Sequence, residues 1–222
     1  MPTPNLQEGT GCMNAVKLTE IARNFCIALL KLVYLNLLWF FFMIIGLGIF
    51  GIAPATVALC NVEKSWLEKQ HISSIFREYW NQFRFHFVKS NGLAILLFVI
   101  GFLLYFDLKF FIDRGGAFNQ IISIVLFILS VWFMITVIYI LPIYTKYQLK
   151  LVDYIKYAFI LGMLNPLKTF GMTISAGGMI YLSFYIPQIL YSLGISLTCF
   201  IVMIIALQAI EDLSALQHKY AK

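Results

Sequence analysis

Charged side chains are missing from four long stretches of the chain: Leu32 to Val62, Ser90 to Phe106, Gly115 to Thr145 and Thr169 to Ile210. Runs of this kind suit helices whose backbone bonds close within the segment while the side chains face lipid. The second stretch predicts a crossing over about 92–112, and the third, with Pro142 near its end, one over about 118–140. At 42 residues the fourth has room for two crossings, and Pro187 is the natural turning point, giving spans over about 169–186 and 191–210. The first stretch, 31 residues long, exceeds the roughly 20 that one crossing needs, and it contains Gly46, Gly48, Gly51 and Pro54. It predicts either one long helix, for five crossings in total, or a hairpin. The hairpin has a helix over about 21–45, a glycine turn, and a shorter helix over 54–67 with Pro54 in its first turn.

Charge separates the two. With the hairpin and an inside N-terminus, 14 of the 16 basic residues fall on the cytoplasmic side and only Lys109 and Arg114 fall outside, which is the distribution membrane insertion favours. The expected architecture is therefore an all-α, polytopic helical membrane protein with six transmembrane segments, five being the alternative. Residues 1–20 form an N-terminal tail and 21–222 a single transmembrane domain. Both termini are expected in the cytoplasm of a multi-pass protein of the cell membrane. Residues 54–67 would extend only about 21 Å, so the second segment is expected to be short or re-entrant, with neighbouring helices shielding its end.

Between the first two stretches, residues 72–88 show a different pattern. Ile72, Ile75, Phe76, Tyr79, Trp80 and Phe83 follow one helical stripe, and Ser74, Arg77, Asn81 and Arg84 share the opposite face. This predicts an amphipathic interfacial helix on the cytoplasmic side, serving as an elbow before the next span or as a docking surface for a partner. A similar pattern recurs 79 positions later, where Tyr154 to Lys156 aligns with Ile75 to Arg77 and Leu167 to Gly171 with Val88 to Gly92. It suggests a parallel repeat of interfacial helix plus hairpin.

Composition narrows the class further. Hydrophobic residues make up 61% and charged residues 12%, and the mean hydropathy is +0.87, so spans and short connections use nearly the whole chain. No stretch remains for a separate soluble catalytic domain. The net charge of +6 comes from basic residues dispersed singly, which argues against nucleic acid and for membrane orientation. Cys26, Cys60 and Cys199 lie in apolar runs without Cys-x-x-Cys spacing and read as packing residues. Cys12 lacks the preceding apolar segment of a lipoprotein signal, and no cleavable signal peptide is expected.

Sites of chemistry are few. The chain has no metalloprotease, nucleophile-elbow or phosphate-loop motif, and His71, His86 and His218 have no metal-ligand spacing, so they read as solvated. No catalytic residue, cofactor or metal is expected, and the protein is not expected to be an enzyme. Glu63 and Lys64 are expected at the inner surface, where solvation is easy. Within the spans, Asn36 predicts an interhelical hydrogen bond, and Asp107 an outer-end group reaching the headgroups beside Lys109. Pro54, Thr56, Arg77, Trp80, Arg84 and Lys89 complete the candidate functional or partner-contact set. A transporter or channel would have to use Asn36, Thr56, Ser130, Thr136 and Ser175.

The segment Tyr34 to Leu59, with Pro54-Ala-Thr-Val-Ala-Leu59 after the glycine turn, then Trp66, the stretch Phe76 to Asn91, and Tyr105-Phe-Asp107-Leu-Lys-Phe-Phe111, resembles the YesL-like family of bacterial membrane proteins. That family is a domain of unknown function with no agreed site residues to transfer. Its members tend to be encoded beside carbohydrate-uptake ABC transporters and glycoside-degrading enzymes of Gram-positive bacteria. The resemblance implies an accessory or regulatory component of oligosaccharide import, with permease or ATPase subunits as partners besides the lipid bilayer. A small transporter or channel is the alternative.

Overall fold

The computed structural model describes the backbone of residues 6–70 and 74–220, and side chains from Lys17 to Asp212 apart from 18, 71–73 and 190. Among these residues the fold is all helical, in the order α1 (Leu6–Ile45), α2 (Ile49–Leu67), α3 (Ile75–Arg114), α4 (Ala117–Lys146), α5 (Leu151–Leu164), α6 (Pro166–Tyr185), a short turn α7 (Pro187–Ile189), a π-helical turn (Leu190–Gly194) and α8 (Ile195–Tyr220). Four segments are long and apolar enough to cross a membrane: Thr19–Ile45, Ile75–Arg114, Ala117–Lys146 and Pro187–Asp212. Helices α2 and α6 are shorter and less uniformly apolar, carrying Asn61, Glu63 and Lys64 in one case and Lys168 in the other. The expectations for Cys12, His71, Ile72 and His218 lie outside the described side chains.

The glycine turn is present, and its chemistry suits an apolar setting. The Leu47 N–H donates to the Ile44 carbonyl at 3.1 Å and the Gly48 N–H to the Met43 carbonyl at 2.9 Å, the paired bonds that close a helix end around a left-handed residue. That residue is Leu47 (φ 62°), followed by Gly48 (φ 71°). Leu47 is 84% exposed and Ile49 81%, so the turn presents apolar side chains while the N–H groups of residues 46, 47 and 48 are satisfied internally. Helices α1 and α2 then pack antiparallel, backbone against backbone. A Cβ on Gly46 would lie 2.4 Å from the Gly51 Cα, and one on Gly51 would lie 2.3 Å from the Met43 carbonyl oxygen.

Several boundaries differ from expectation. Helix α2 starts at Ile49, so Pro54 sits inside it rather than opening it, and 19 residues give about 28 Å instead of 21. Helical structure also begins at Leu6, so the tail expected over 1–20 is largely the first half of α1. The separate interfacial helix over 72–88 is absent: residues 75–114 form one 40-residue helix. The polar break at Lys89-Ser-Asn91 does not end it, because Ser90 Oγ and Asn91 Nδ2 both donate to the Phe87 carbonyl, at 3.4 and 2.9 Å, and so satisfy themselves on the helix. Helix α4 likewise runs through Pro142 to Lys146. In the second half of the suggested repeat, Asn165-Pro166 splits α5 from α6, so the two halves are built differently. Pro187 does mark the turn between α6 and α8.

Two apolar clusters hold the helices together. One gathers Leu35, Trp39 and Phe42 of α1, Ala55, Ala58 and Leu59 of α2, Tyr79 and Phe83 of α3, and Met203 of α8. The other gathers Tyr139 and Ile143 of α4, Tyr154 and Ala158 of α5, Met172 of α6, and Val202 and Ala206 of α8. Helix α8 contributes to both and is the common wall. The far half of the α3–α4 hairpin belongs to neither. Its most apolar windows are 0% buried in α3 and 6% in α4, against 33% in α1 and 50% for the segment containing α8.

The amphipathic stripe of α3 is real, but it faces protein. Phe42 stacks on Tyr79 with ring centroids 4.9 Å apart and also meets Phe76, Trp80 and Phe83 within 5.1 to 5.8 Å. The Tyr79 hydroxyl donates to the Ala55 carbonyl of α2 at 2.7 Å. Phe42 lies six residues from Gly48, about 9 Å along α1, so the turn stands at most roughly 20 Å from the α3 axis.

Candidate functional site

A concavity of about 710 Å³ opens between the C-terminal half of α2, the second to fourth turns of α3 and the end of α4. Each wall contributes polar groups. From α2 comes Asn61, whose Nδ2 is shielded from solvent and has no hydrogen-bond partner among the described residues. From α3 come Asn81, Gln82, Arg84 and His86, and from α4 and the residues after it Tyr144, Lys146 and Gln148. The floor is tied down by contacts that also join the helices. His86 Nδ1 lies 3.1 Å from the Tyr144 hydroxyl, and Lys64 Nζ donates to the Thr145 carbonyl at 3.0 Å. His86 is thus a half-buried hydrogen-bonding partner and not the solvated residue expected of it. Lys89 Nζ sits over the rings of Tyr144 and Tyr154 at 5.7 and 5.3 Å, and the Arg84 guanidinium over Trp80 at 5.5 Å.

Of the residues singled out from the sequence, Arg84 lines this cleft, and Trp80 and Lys89 support it. Arg77 is exposed on the outer face of α3. Asp107 is exposed far along the α3–α4 hairpin and forms no hydrogen bond or ion pair among the described residues. The other three are structural. Asn36 donates through Nδ2 to the Tyr191 carbonyl at 2.6 Å and accepts from the Ser196 N–H at 3.3 Å, tying α1 to the π-helical turn as an interhelical clamp. Thr56 accepts from Trp39 Nε1 at 3.0 Å and donates to the Ile52 carbonyl, and Pro54 is buried inside α2. The polar residues that a conduction path would need do not converge: Ser130 and Thr136 each donate to a carbonyl four residues back on α4.

Sequence reasoning missed the burial of Glu63. It is fully buried instead of solvated at the inner surface, and both carboxylate oxygens lack a hydrogen-bond partner among the described residues. Such a carboxylate in an apolar setting requires a proton or a compensating charge. Beside it, Cys60 and Cys199 are buried in one apolar cluster. They fill the packing role expected of them and also line an apolar cavity of about 190 Å³ with Leu141, Val202 and Met203. Nothing in the sequence reports this burial, because Glu63 sits beside Lys64, which forms an ordinary surface pair with Glu68 at 3.8 Å. Among the described residues no group of three or more His, Cys, Asp or Glu side chains is placed to hold a metal ion.

Comparison with known proteins places these features in a family. The family described as "Protein of unknown function, DUF624" matches residues 32–108, which are the turn half of α1, all of α2 and most of α3. In Bacillus subtilis (strain 168), uncharacterized protein YteU is 30% identical over 174 residues, covering 78% of this chain and 78% of the relative. Uncharacterized protein YesV is 28% identical over 194 residues (87% of this chain, 93% of the relative), and uncharacterized protein YesL 26% over 199 residues (88% and 92%). No solved structure matches.

Proposed function

Because the chain belongs to the YesL-like DUF624 family, whose function is unknown, we propose a role from its own geometry: a non-catalytic accessory or regulatory component of the cell membrane. Its partners on this reading are the permease or ATPase subunits of a carbohydrate importer, the partner class that the resemblance implies. The observation that carries the proposal is the α3–α4 hairpin. Its most apolar windows are 0% buried in α3 and 6% in α4, while those of the other long segments are a third to a half buried. A helical hairpin projecting from a packed core suits docking against the helices of another membrane protein, where close packing supplies the association energy.

The membrane arrangement proposed with it keeps both termini and most basic residues on the cytoplasmic side. The α3–α4 and α6–α8 hairpins cross fully. The α1–α2 hairpin enters from the cytoplasmic face on α1, whose Thr19–Ile45 segment is long and apolar enough to cross, and returns through the shorter α2, where 19 residues give about 28 Å against a hydrocarbon core of about 30 Å. This is the six-segment expectation with a short second segment, and the internally bonded Leu47–Gly48 turn supports it.

Purification of the tagged full chain from native membranes tests the role. Importer permease or ATPase subunits are expected to co-purify in fixed ratio. A monodisperse particle holding this chain alone, from membranes that contain those subunits, would count against it.

A further inference from the structure

We infer that the cleft between α2, α3 and the end of α4 is a binding site for the headgroup of an anionic membrane phospholipid with free hydroxyls, of the phosphatidylglycerol type. Charge is the first argument. Arg84 and Lys146 both line the cleft, no Asp or Glu does, and neither base forms an ion pair among the described residues. Glu78, the nearest acid on α3, is engaged by Gln82 Nε2 at 2.8 Å. A phosphate diester placed between a guanidinium and an ammonium gains charge-assisted hydrogen bonds from both.

Hydrogen-bonding capacity is the second. The cleft carries amide groups at Asn61, Asn81 and Gln148. Amides that donate and accept match hydroxyl groups, whereas a choline headgroup offers neither a donor nor an acceptor beyond its phosphate.

The setting of the cleft then selects a lipid over a soluble phosphate ester. Phe85 is 75% exposed and Val88 82%, directly beside Arg84 on α3, giving acyl chains an apolar surface at the rim. Trp80, Tyr144 and Tyr154, each under a cation, form the aromatic and basic girdle typical of headgroup depth. The inference is independent of the importer reading, since it concerns lipid and not a protein partner.

The full chain in neutral detergent, titrated with dihexanoyl phosphatidylglycerol, dihexanoyl phosphatidylcholine and glycerol 3-phosphate and read by native mass spectrometry, tests it. Phosphatidylglycerol is expected to bind at least about tenfold more tightly than either of the others, given roughly fivefold per basic contact. Arg84→Gln with Lys146→Gln is expected to weaken phosphatidylglycerol roughly 30-fold. Lys109→Gln, at the far end of α3, should leave it unchanged. Should the double variant not fold, Gln148→Glu at an exposed rim position is expected to weaken binding roughly fivefold. Equal binding of the two lipids, retention of phosphatidylglycerol affinity by the folded double variant or by Gln148→Glu, or glycerol 3-phosphate binding as tightly as the lipid would overturn the inference.

Discussion

Replacing Gly51 with alanine probes the close backbone approach of α1 and α2 at the turn. The new Cβ would lie 2.3 Å from the Met43 carbonyl oxygen, 2.8 Å from its Cα and 2.9 Å from its carbonyl carbon, all backbone atoms that no side-chain rotation can clear. Helices α1 and α2 must therefore separate by about 1 Å at the turn, an overpacking strain of about 1–3 kcal/mol. The displacement also stretches the Trp39 to Thr56 hydrogen bond, now 3.0 Å, whose loss adds about 1 kcal/mol. Helix propensity works the other way by about 1 kcal/mol. The net expectation for Gly51→Ala is a loss of about 1–3 kcal/mol. Gly178→Ala is the matched control, because a Cβ there meets nothing within 4 Å, and alanine in α6 should stabilise by up to about 1 kcal/mol. Reversible unfolding of both variants in mixed micelles, followed by tryptophan fluorescence, measures the difference, expected at about 2–4 kcal/mol. If the two variants fell within about 0.5 kcal/mol of each other, the backbone contact at the turn would be refuted.

Three further outcomes follow from the same geometry. Gly48→Cys, in a background with the other cysteines replaced by serine, should be labelled by a membrane-impermeant maleimide added outside intact cells; protection from outside would mean that the α1–α2 hairpin turns back within the membrane. Glu63→Met should leave stability unchanged or raise it by about 1–4 kcal/mol in the same unfolding assay, because an apolar side chain of similar volume removes an unpartnered carboxylate; a loss above about 2 kcal/mol would show that Glu63 has a stabilising partner. Asn36→Leu removes the bonds to Tyr191 and Ser196 and should cost about 1–2 kcal/mol while increasing hydrogen exchange at the π-helical turn; unchanged exchange there would rule out the clamp.

Much of the helical layout can be read from side-chain chemistry along the chain. Gly46 and Gly51 announce a turn because only glycine permits the approach seen there, Gly48 because its φ of 71° suits glycine, and Pro187 announces another. The stripe Ile75, Tyr79, Phe83 shows which face of α3 is apolar. It does not show what covers that face, since a lipid surface and the ring of Phe42 select the same residues. Helix ends are less legible. Pro54 and Pro142 look like boundaries, yet each sits within a helix. Ser90-Asn91 looks like a linker, yet its side chains bond back to Phe87. The cleft is the least legible part, because Asn61, Arg84 and Lys146 come from three helices and meet only through tertiary packing. Asp107 drew attention as a charge in an apolar run, and the structure leaves it exposed and unconnected to that cleft.

Photo-crosslinking from the α3–α4 hairpin in native membranes tests the proposed role most directly. A photoreactive residue placed at Phe98 or Ile128, both exposed on the hairpin, is compared with one at Ile174, exposed on α6. Adducts to one importer permease subunit are expected from positions 98 and 128, with lipid adducts alone from 174. Lipid adducts alone at all three positions, or the same proteins captured from all three, would contradict an accessory role carried by this hairpin.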